Sequence, residues 1–192
     1  YAKFAMIPAF EPSTQQEAYD MMDKAFELSE RLKEPVMLRV VTRLAHSRAA
    51  VEVSEPKAEN KLDIAKESWV LLPGIARRKY DELIAKQPSM LEASEGSAYN
   101  KRENSADKKT GIIACGIAYN YVKEAAGSEY NVLKVSQYPM PVAKIKALAS
   151  ECDEIIVMEK GRAVERGNHD GLMALRGKYY DLMSINGKGG EC

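Results

Sequence analysis

Cysteine is scarce in this sequence, and its placement excludes several kinds of site. The 192 residues contain Cys115, Cys152 and Cys192, at wide spacings and without a Cys-x-x-Cys pair. Zinc knuckles and iron–sulfur clusters are held by closely spaced cysteines, so the sequence offers no ligand set for either. Three widely separated cysteines favour reduced thiols in a cytoplasmic protein.

Excess charge and long apolar runs are lacking as well. Lys and Arg number 28, and so do Asp and Glu, so the formal net charge is zero. A chain without excess positive charge gives no indication of nucleic acid or an anionic membrane as a partner. No apolar run approaches the roughly 20 residues that span a bilayer, so we expect no membrane insertion. The sequence opens at Tyr1 without a basic-then-apolar leader or an initiating Met, and we therefore expect a fragment rather than a secreted protein.

The first 42 residues have the pattern of a helix followed by a buried strand. Residues 13–33 predict a helix in which Thr14 is the N-cap and Glu17 completes a capping box. Pro35 ends this helix, and the β-branched run 36–42 predicts a strand. The apolar residues at helical spacing are Ala18, Met21, Met22, Ala25, Leu28 and Leu32. A helix, a tight turn and a strand are half of a parallel α/β unit.

The rest of the chain divides into a polar stretch, an alternating region and a tail. Residues 51–108 are rich in charge and predict a linker with one or two helices, one of which follows Pro73. Residues 109–159 alternate between apolar strand runs and helical patterns. The predicted elements there are strands 111–115, 132–137 and 155–159 and helices 117–126 and 142–150. This β-α-β-α-β order predicts a parallel sheet with right-handed crossovers.

Two short patterns are candidates for ligand binding. Arg43 and His46 follow a predicted parallel strand, at the sheet edge where α/β proteins bind ligands. Arg43 could contact a carboxylate or phosphate with two N–H groups, and His46 could carry a proton near neutral pH. The alternative is that Arg43 has a structural role only and that His46 is an ordinary surface residue. Residues 111–116 begin and end with Gly but match no phosphate-loop pattern, so Gly116 is predicted to serve the turn from strand to helix. An anion site at that helix start is the alternative.

Several stretches together resemble the large (alpha) subunit of indolepyruvate:ferredoxin oxidoreductase. They are YAKFAMIPAFEPSTQQEAYD at 1–20, EPVMLRVVTRLAH at 34–46, EGSAYN at 95–100 and GIIACGIAYNYVKE at 111–124. The stretches stand in the family's order over about 1–159. The resemblance implies an α/β fold, in which the end of a thiamine-enzyme pyrimidine-type domain is followed by a small parallel-sheet domain like the C-terminal domain of transketolase.

The same resemblance implies a cofactor chemistry and a set of partners. The family oxidatively decarboxylates aryl 2-oxoacids to acyl-CoA, using thiamine diphosphate, Mg²⁺ and 4Fe-4S clusters, with a beta subunit and ferredoxin as partners. The Glu that activates thiamine and the cluster cysteines have no counterpart in this sequence. We therefore expect the chain to be inactive alone and to bind none of these cofactors alone. Arg43 and His46 are the candidate cofactor-binding residues, no catalytic or metal-binding residue is expected, and a homo-oligomer is left open.

The tail resembles a different family. Residues 161–170 read GRAVERGNHD and residues 171–183 read GLMALRGKYYDLM. Over about 151–183 the chain is similar to the end of the nucleotide-binding domain of ATP-binding cassette transporters. Residues 161–167 predict a hairpin after the preceding strand. The residues that follow predict a helix over 171–183, with Asn168 or Asp170 as its cap. A non-catalytic α/β module, or the end of a transporter ATPase, is thus the alternative function.

Four segments follow from these similarities. They are the C-terminal part of a thiamine pyrimidine-type domain (1–50), a linker (51–108), the transketolase C-terminal-like domain (109–159) and an atypical tail (160–192). We expect segment 1–50 to lack the strands with which it would pair, and the tail helix to be weakly held against the sheet of 109–159.

Overall fold

The computed structural model describes residues 1–58, 70–106, 109–159 and 162–184. Within these ranges the helices are α1 (Ala2–Ala5), α2 (Gln15–Leu32), α3 (Thr42–Ala45), α4 (Pro73–Ala85), α5 (Gln87–Glu95), α6 (Ala118–Ala126), α7 (Val142–Glu151), α8 (His169–Leu175) and α9 (Lys178–Ser184). The strands are β1 (Ala9–Phe10), β2 (Met37–Leu38), β3 (Arg102–Glu103), β4 (Thr110–Cys115), β5 (Asn131–Val135), β6 (Gln137–Tyr138), β7 (Glu154–Glu159) and β8 (Arg162–Gly167). Cys192, with the rest of the predicted tail from 185 onward, lies outside the described residues.

The larger sheet has the order β3-β5-β4-β7-β8. Its three central strands are parallel, as the alternating pattern predicts, while β3 and β8 pair antiparallel at the two edges. β4 and β5 are buried along most of their length. Helices cover both faces of such a sheet, so its central strands are mostly apolar. The α/β class is confirmed, and the sheet is mixed rather than wholly parallel.

A smaller sheet joins the N-terminal segment to the rest of the chain. Its order is β2-β1-β6, with β1 parallel to β2 and antiparallel to β6. The expectation that residues 1–50 would lack pairing strands is therefore wrong. β6 follows directly after β5 in the chain, so the end of the large-sheet strand supplies the partner.

The predicted cap of α2 is present with one change of partner. Thr14 Oγ1 accepts a hydrogen bond from the Glu17 N–H at 3.1 Å, as predicted. The Glu17 carboxylate accepts from the backbone N–H of Ser13 at 2.8 Å, one residue before the cap. Met21 is fully buried, but Met22 is 45% exposed although the sequence analysis placed it on the core-facing side. Neighbouring helical residues point about 100° apart, so only one of the two can face the core.

The strand predicted over 36–42 is too long. Only Met37 and Leu38 pair with β1, and two more backbone bonds join the Met37 N–H to Pro8 O at 3.0 Å and the Arg39 N–H to Phe10 O at 2.8 Å. β1 itself has two residues, which limits the length of the strand that can pair with it. Thr42 begins the short helix α3 instead.

The stretch 94–100 fixes the position of β6. Asn100 Oδ1 accepts hydrogen bonds from the backbone N–H groups of Ser136 and Gln137, each at 2.8 Å. Its side-chain amide donates to the carbonyl oxygens of Ser94 and Gln137. This buried amide satisfies backbone groups where β5 ends and β6 begins. The predicted linker 51–108 contains α4 and α5, and the end of α5 is thus part of the interior.

The tail is packed into the main apolar core. Leu172 and Tyr179 are fully buried together with Leu148 and Ile155. Asn168 caps α8, as predicted, by accepting from the Gly171 N–H at 2.8 Å. The single helix predicted over 171–183 is wrong, because Arg176 adopts φ +51° and a new helix starts at Lys178. The carboxylate of Glu165 accepts from the backbone N–H groups of Lys178 and Tyr179 and so caps α9.

Candidate functional site

The carboxyl ends of β1, β2 and β4 meet around one buried carboxylate. Glu11 follows β1, Arg39 follows β2 and Cys115 ends β4. Ligands of α/β proteins bind at this end of parallel strands. We call Glu11, Arg39, Cys115 and Tyr138 the Glu11 cluster.

Glu11 has a partner on each carboxylate oxygen. The Glu11 residue is buried, with 6% of its surface exposed. Arg39 Nη1 donates to Oε1 at 2.5 Å, and the Tyr138 hydroxyl donates to Oε2 at 2.8 Å. Burial, together with the adjacent Cys115 and Glu11, raises the pKa of Tyr138 well above its usual value, so the phenol keeps its proton. A buried carboxylate is costly unless it is paired and hydrogen-bonded, and both conditions are met here.

Gly116 allows the carboxylate to approach the end of β4. Its φ is +51°, and a Cβ at this position would lie 2.6 Å from the Glu11 Cδ. The prediction that Gly116 serves the turn after the strand is confirmed by this backbone. The Glu11 side chain fills the space beside it, and α6 begins two residues later at Ala118.

Cys115 is held as an unreactive thiol. Burial raises its pKa to about 11, and a hydrogen bond with Tyr138 opposes this only in part. The thiolate is the nucleophilic form of cysteine. The site therefore holds the thiol protonated at neutral pH.

A second polar cluster joins α2 to β5. The Lys134 Nζ forms an ion pair with Glu17, donates to Ser13 Oγ at 2.8 Å and lies 4.8 Å from the centre of the Tyr119 ring. Burial would raise the pKa of Glu17, but hydrogen bonds from Lys134 and Ser13 lower it below its usual value. Together with Tyr99, these residues line a depression of about 190 Å³. Its lysine and carboxylate satisfy each other, which is typical of a structural contact.

The two residues singled out from the sequence lie on α3 and its end. Both Arg43 and His46 are exposed, and the Arg43 guanidinium lies 5.4 Å from the centre of the Tyr121 ring. No hydrogen bond or ion pair joins either of them to the Glu11 cluster within the described residues. Sequence reasoning assigned Arg39 only to a strand and did not single out Glu11 or Tyr138. A charged residue inside the apolar run 36–42 was the signal for Arg39.

Metal ligands are a further test of the site. In the ranges that the structure describes, no three His, Cys, Asp or Glu side chains are grouped so that they could hold a metal ion. No described helix is long and apolar enough to cross a membrane.

Comparisons with known proteins give relatives of one kind over most of the chain. No family model matches. The indolepyruvate oxidoreductase subunit IorA of Methanothermobacter marburgensis is 36% identical over 168 residues, covering 83% of this chain and 27% of that subunit. IorA of Pyrococcus abyssi is 35% identical over 172 residues, with 83% and 26% covered. The chain thus spans about a quarter of the length of these curated relatives.

A second relative matches a shorter stretch. The serine protease/ABC transporter B family protein tagB of Dictyostelium discoideum is 44% identical over 62 residues, which are 32% of this chain and 3% of that protein. The two kinds of match together exceed the length of the chain, so they share residues.

The fold has a counterpart among solved structures. The 2-oxoglutarate:ferredoxin oxidoreductase from Magnetococcus marinus, solved with 2-oxoglutarate, coenzyme A and succinyl-CoA bound, aligns with a TM-score of 0.50 at 15% identity. The alignment covers 88% of this chain and 36% of that one. At this identity the likeness concerns the fold alone. Sequence and fold agree: the chain belongs to the family of the indolepyruvate oxidoreductase subunit IorA, of which it spans about a quarter.

Proposed function

We propose that this chain is a part of a thiamine diphosphate-dependent 2-oxoacid:ferredoxin oxidoreductase that converts indolepyruvate or related aryl pyruvates to acyl-CoA. The observation that carries the proposal is the 36% identity to IorA over 83% of the chain. The shared fold with a 2-oxoglutarate:ferredoxin oxidoreductase supports it. In this proposal the segments 1–50, 51–108, 109–159 and 160–192 keep the roles that the family resemblance gives them.

The chain contributes framework rather than reacting groups. The buried carboxylate of Glu11 and the half-buried carboxylate of Glu17 are each bound to a cation and to a hydroxyl group. A carboxylate held in this way is not poised to exchange protons with a cofactor. Among the described residues no three His, Cys, Asp or Glu side chains are grouped as metal ligands, and we propose that Mg²⁺, the 4Fe-4S clusters and most of the thiamine diphosphate site are supplied by other parts of the complete enzyme. The chain alone is then inactive.

Arg43 and His46 are the proposed contacts to the cofactor. They lie after β2, at the carboxyl end of the small parallel pair, and both are exposed. The Tyr121 ring supports one face of the Arg43 guanidinium and leaves its N–H groups to meet a phosphate edge-on. His46 ends α3, where its ring reaches solvent.

The partners and the compartment follow from the same family. We propose a beta subunit and ferredoxin as partners in the cytoplasm, and leave a homo-oligomer open. The match to a subunit of an oxidoreductase supports a partner subunit.

A chimera tests the proposal directly. The matching region of Methanothermobacter marburgensis IorA is replaced by this chain and produced with the partner subunit. Indolepyruvate turnover is measured with thiamine diphosphate, Mg²⁺, coenzyme A and a viologen acceptor, for the chimera and for the chain alone. We expect turnover from the chimera and none from the chain. A chimera that co-purifies with its partner subunit and yet shows no turnover contradicts the proposed function, and turnover by the chain alone contradicts the framework role.

A nucleotide-associated module is the second candidate, favoured by the 44% identity to tagB over 62 residues. Titration of the chain with ATP and Mg²⁺ tests it. We expect no saturable binding. Binding of ATP in the micromolar range would favour this second function over the first.

A further inference from the structure

Helix α4 presents one whole face to solvent. The residues of this face recur at helical spacing and are all exposed, and we call them the Tyr80 face: Pro73, Arg77, Tyr80, Asp81 and Ile84. The opposite side of the helix is half-buried, and its Leu83 packs against the core beneath α2. Tyr80 is 53% exposed and Ile84 is 40% exposed. Large apolar side chains that are exposed together along one face mark a surface that binds another protein.

The Tyr80 face carries one positive and one negative charge. Arg77 and Asp81 are four residues apart and so lie close together on the helix. Arg78 and Lys79 form ion pairs with Glu82 away from this face, whereas neither Arg77 nor Asp81 forms an ion pair within the described residues. A basic residue that precedes an acidic one is the less favourable order for a helix on its own, because the helix dipole prefers the reverse. Both charges are therefore available to a partner.

We propose that α4 binds α4 of a second copy of this chain, with the two helices antiparallel about a two-fold axis beside Tyr80. In this register Arg77 lies opposite Asp81 of the second copy, and the symmetry repeats the contact on the other half. The two Tyr80 rings meet next to the axis. A parallel pair would instead place like charges opposite each other, which is unfavourable. The proposal goes beyond the proposed function and does not depend on it.

The same register brings a large side chain to an open position. Gly74 lies opposite Ile84 of the second copy, and a Cβ on Gly74 would have no atom of its own chain within 4 Å. The Ile84 side chain can fill this space, so that large and small residues interdigitate. With 13 residues α4 is about 20 Å long. One pair of such helices buries less than the roughly 1,600 Å² of a standard interface, so we expect a weak dimer whose population rises with concentration.

Charge reversal tests the proposal by sedimentation equilibrium of the full chain. Arg77→Asp makes both charges of the face acidic, and Asp81→Arg makes both basic. We expect each variant alone to dimerise about tenfold or more weakly than the wild type, because like charges then meet across the axis. An equimolar mixture of the two variants should dimerise as the wild type does, since every acidic residue again meets a basic one.

Arg48→Asp is the matched control, because Arg48 is an exposed arginine outside the described helices and strands. It should dimerise like the wild type, and circular dichroism melts establish that each variant is folded. A mixture that fails to recover the dimer would overturn the proposal, as would an equal effect of Arg48→Asp. A wild-type chain that stays monomeric up to about 1 mM would mean that a different polypeptide covers the Tyr80 face, and would overturn it too.

Cross-linking tests the antiparallel register. Gly74→Cys and Ile84→Cys proteins are mixed and treated with a short bismaleimide, and the linked peptides are identified by mass spectrometry. We expect position 74 of one copy to be linked to position 84 of the other. In a parallel pair these positions would lie about 15 Å apart along the axis. Links of each position to itself would therefore overturn the proposed arrangement.

Discussion

Cys115 shows how burial sets the chemistry of one side chain. Its thiol lies at the end of β4, beside Tyr138, and burial raises its pKa to about 11. The thiolate fraction near pH 8 is therefore roughly 100-fold below that of an ordinary cysteine. We expect iodoacetamide to modify Cys115 far more slowly than N-acetylcysteine, as measured by mass spectrometry of the peptide that contains it. Equal rates would mean that the residue opens to solvent far more often than its packing indicates.

Glu103 makes the stability of the fold depend on pH in the acid range. Its carboxylate accepts hydrogen bonds from the Tyr119 hydroxyl at 2.6 Å and from Lys123 at 2.9 Å, and these lower its pKa to about 2. A carboxyl group whose pKa is depressed on folding stabilises the folded state fully above its unfolded value near 4.5, and this contribution is lost as the pH falls toward 2.

We therefore expect the urea midpoint of the wild-type protein to fall between pH 4.5 and 2.5 more steeply than that of Glu103→Gln. Glu124→Gln is the control, because it removes an exposed carboxylate from α6, the helix that carries Tyr119 and Lys123. Its profile should follow that of the wild type. Parallel profiles for all three proteins would contradict the role given to Glu103.

At the scale of elements, the tail offers a sharp test. Leu172 and Leu175 lie on the same helix, α8, but Leu172 is fully buried and Leu175 is 68% exposed. Leu172→Ala should lower the free energy of unfolding by about 2–4 kcal/mol because it leaves a cavity in the core. Leu175→Ala should change it by about 0.5 kcal/mol or less. Urea denaturation measures both, and a small effect at Leu172 would mean that the tail is only loosely attached.

The elements divide into those that local sequence determines and those that it does not. β4, β5 and β7 are mostly apolar, and α2 has a cap and a helical period, so sequence alone predicts them. β1 and β6 are two-residue strands with no period to detect, and they pair with each other across more than 120 residues of sequence. The break between α8 and α9 depends on Glu165 of β8, whose carboxylate accepts hydrogen bonds from the backbone N–H groups of Lys178 and Tyr179 at the start of α9.

The candidate site was harder to predict for the same reason. Arg39 and Tyr138 reach Glu11 from 28 and 127 residues away in the chain. Sequence proximity led instead to Arg43 and His46, whose roles remain predictions. The family resemblance, by contrast, can be detected from sequence, because it depends on several stretches in a fixed order rather than on one contact.

At the scale of the whole molecule, the N-terminal segment is held by residues more than a hundred positions later in the chain. β1 pairs with β6, and Glu17 pairs with Lys134 117 residues later. A specific protease site inserted between Leu71 and Leu72, which are both exposed, would divide the chain without cutting a described helix or strand. We expect the two pieces to elute together in native buffer and to separate in urea. Separation in native buffer would show that the N-terminal segment is an independent unit.

The pairing of β1 with β6 also has a consequence for the order in which the protein is made. A ribosome adds about 5–20 residues per second, so Tyr138 is synthesised on the order of 6–25 seconds after Glu11, its hydrogen-bond partner 127 residues earlier. Until then the first strand has no antiparallel neighbour, and Glu11 has no hydroxyl to bind. During this interval the apolar face of helix α2 is open to contact with other nascent chains. The segment 1–50 is therefore translated well before the strand that completes its small sheet.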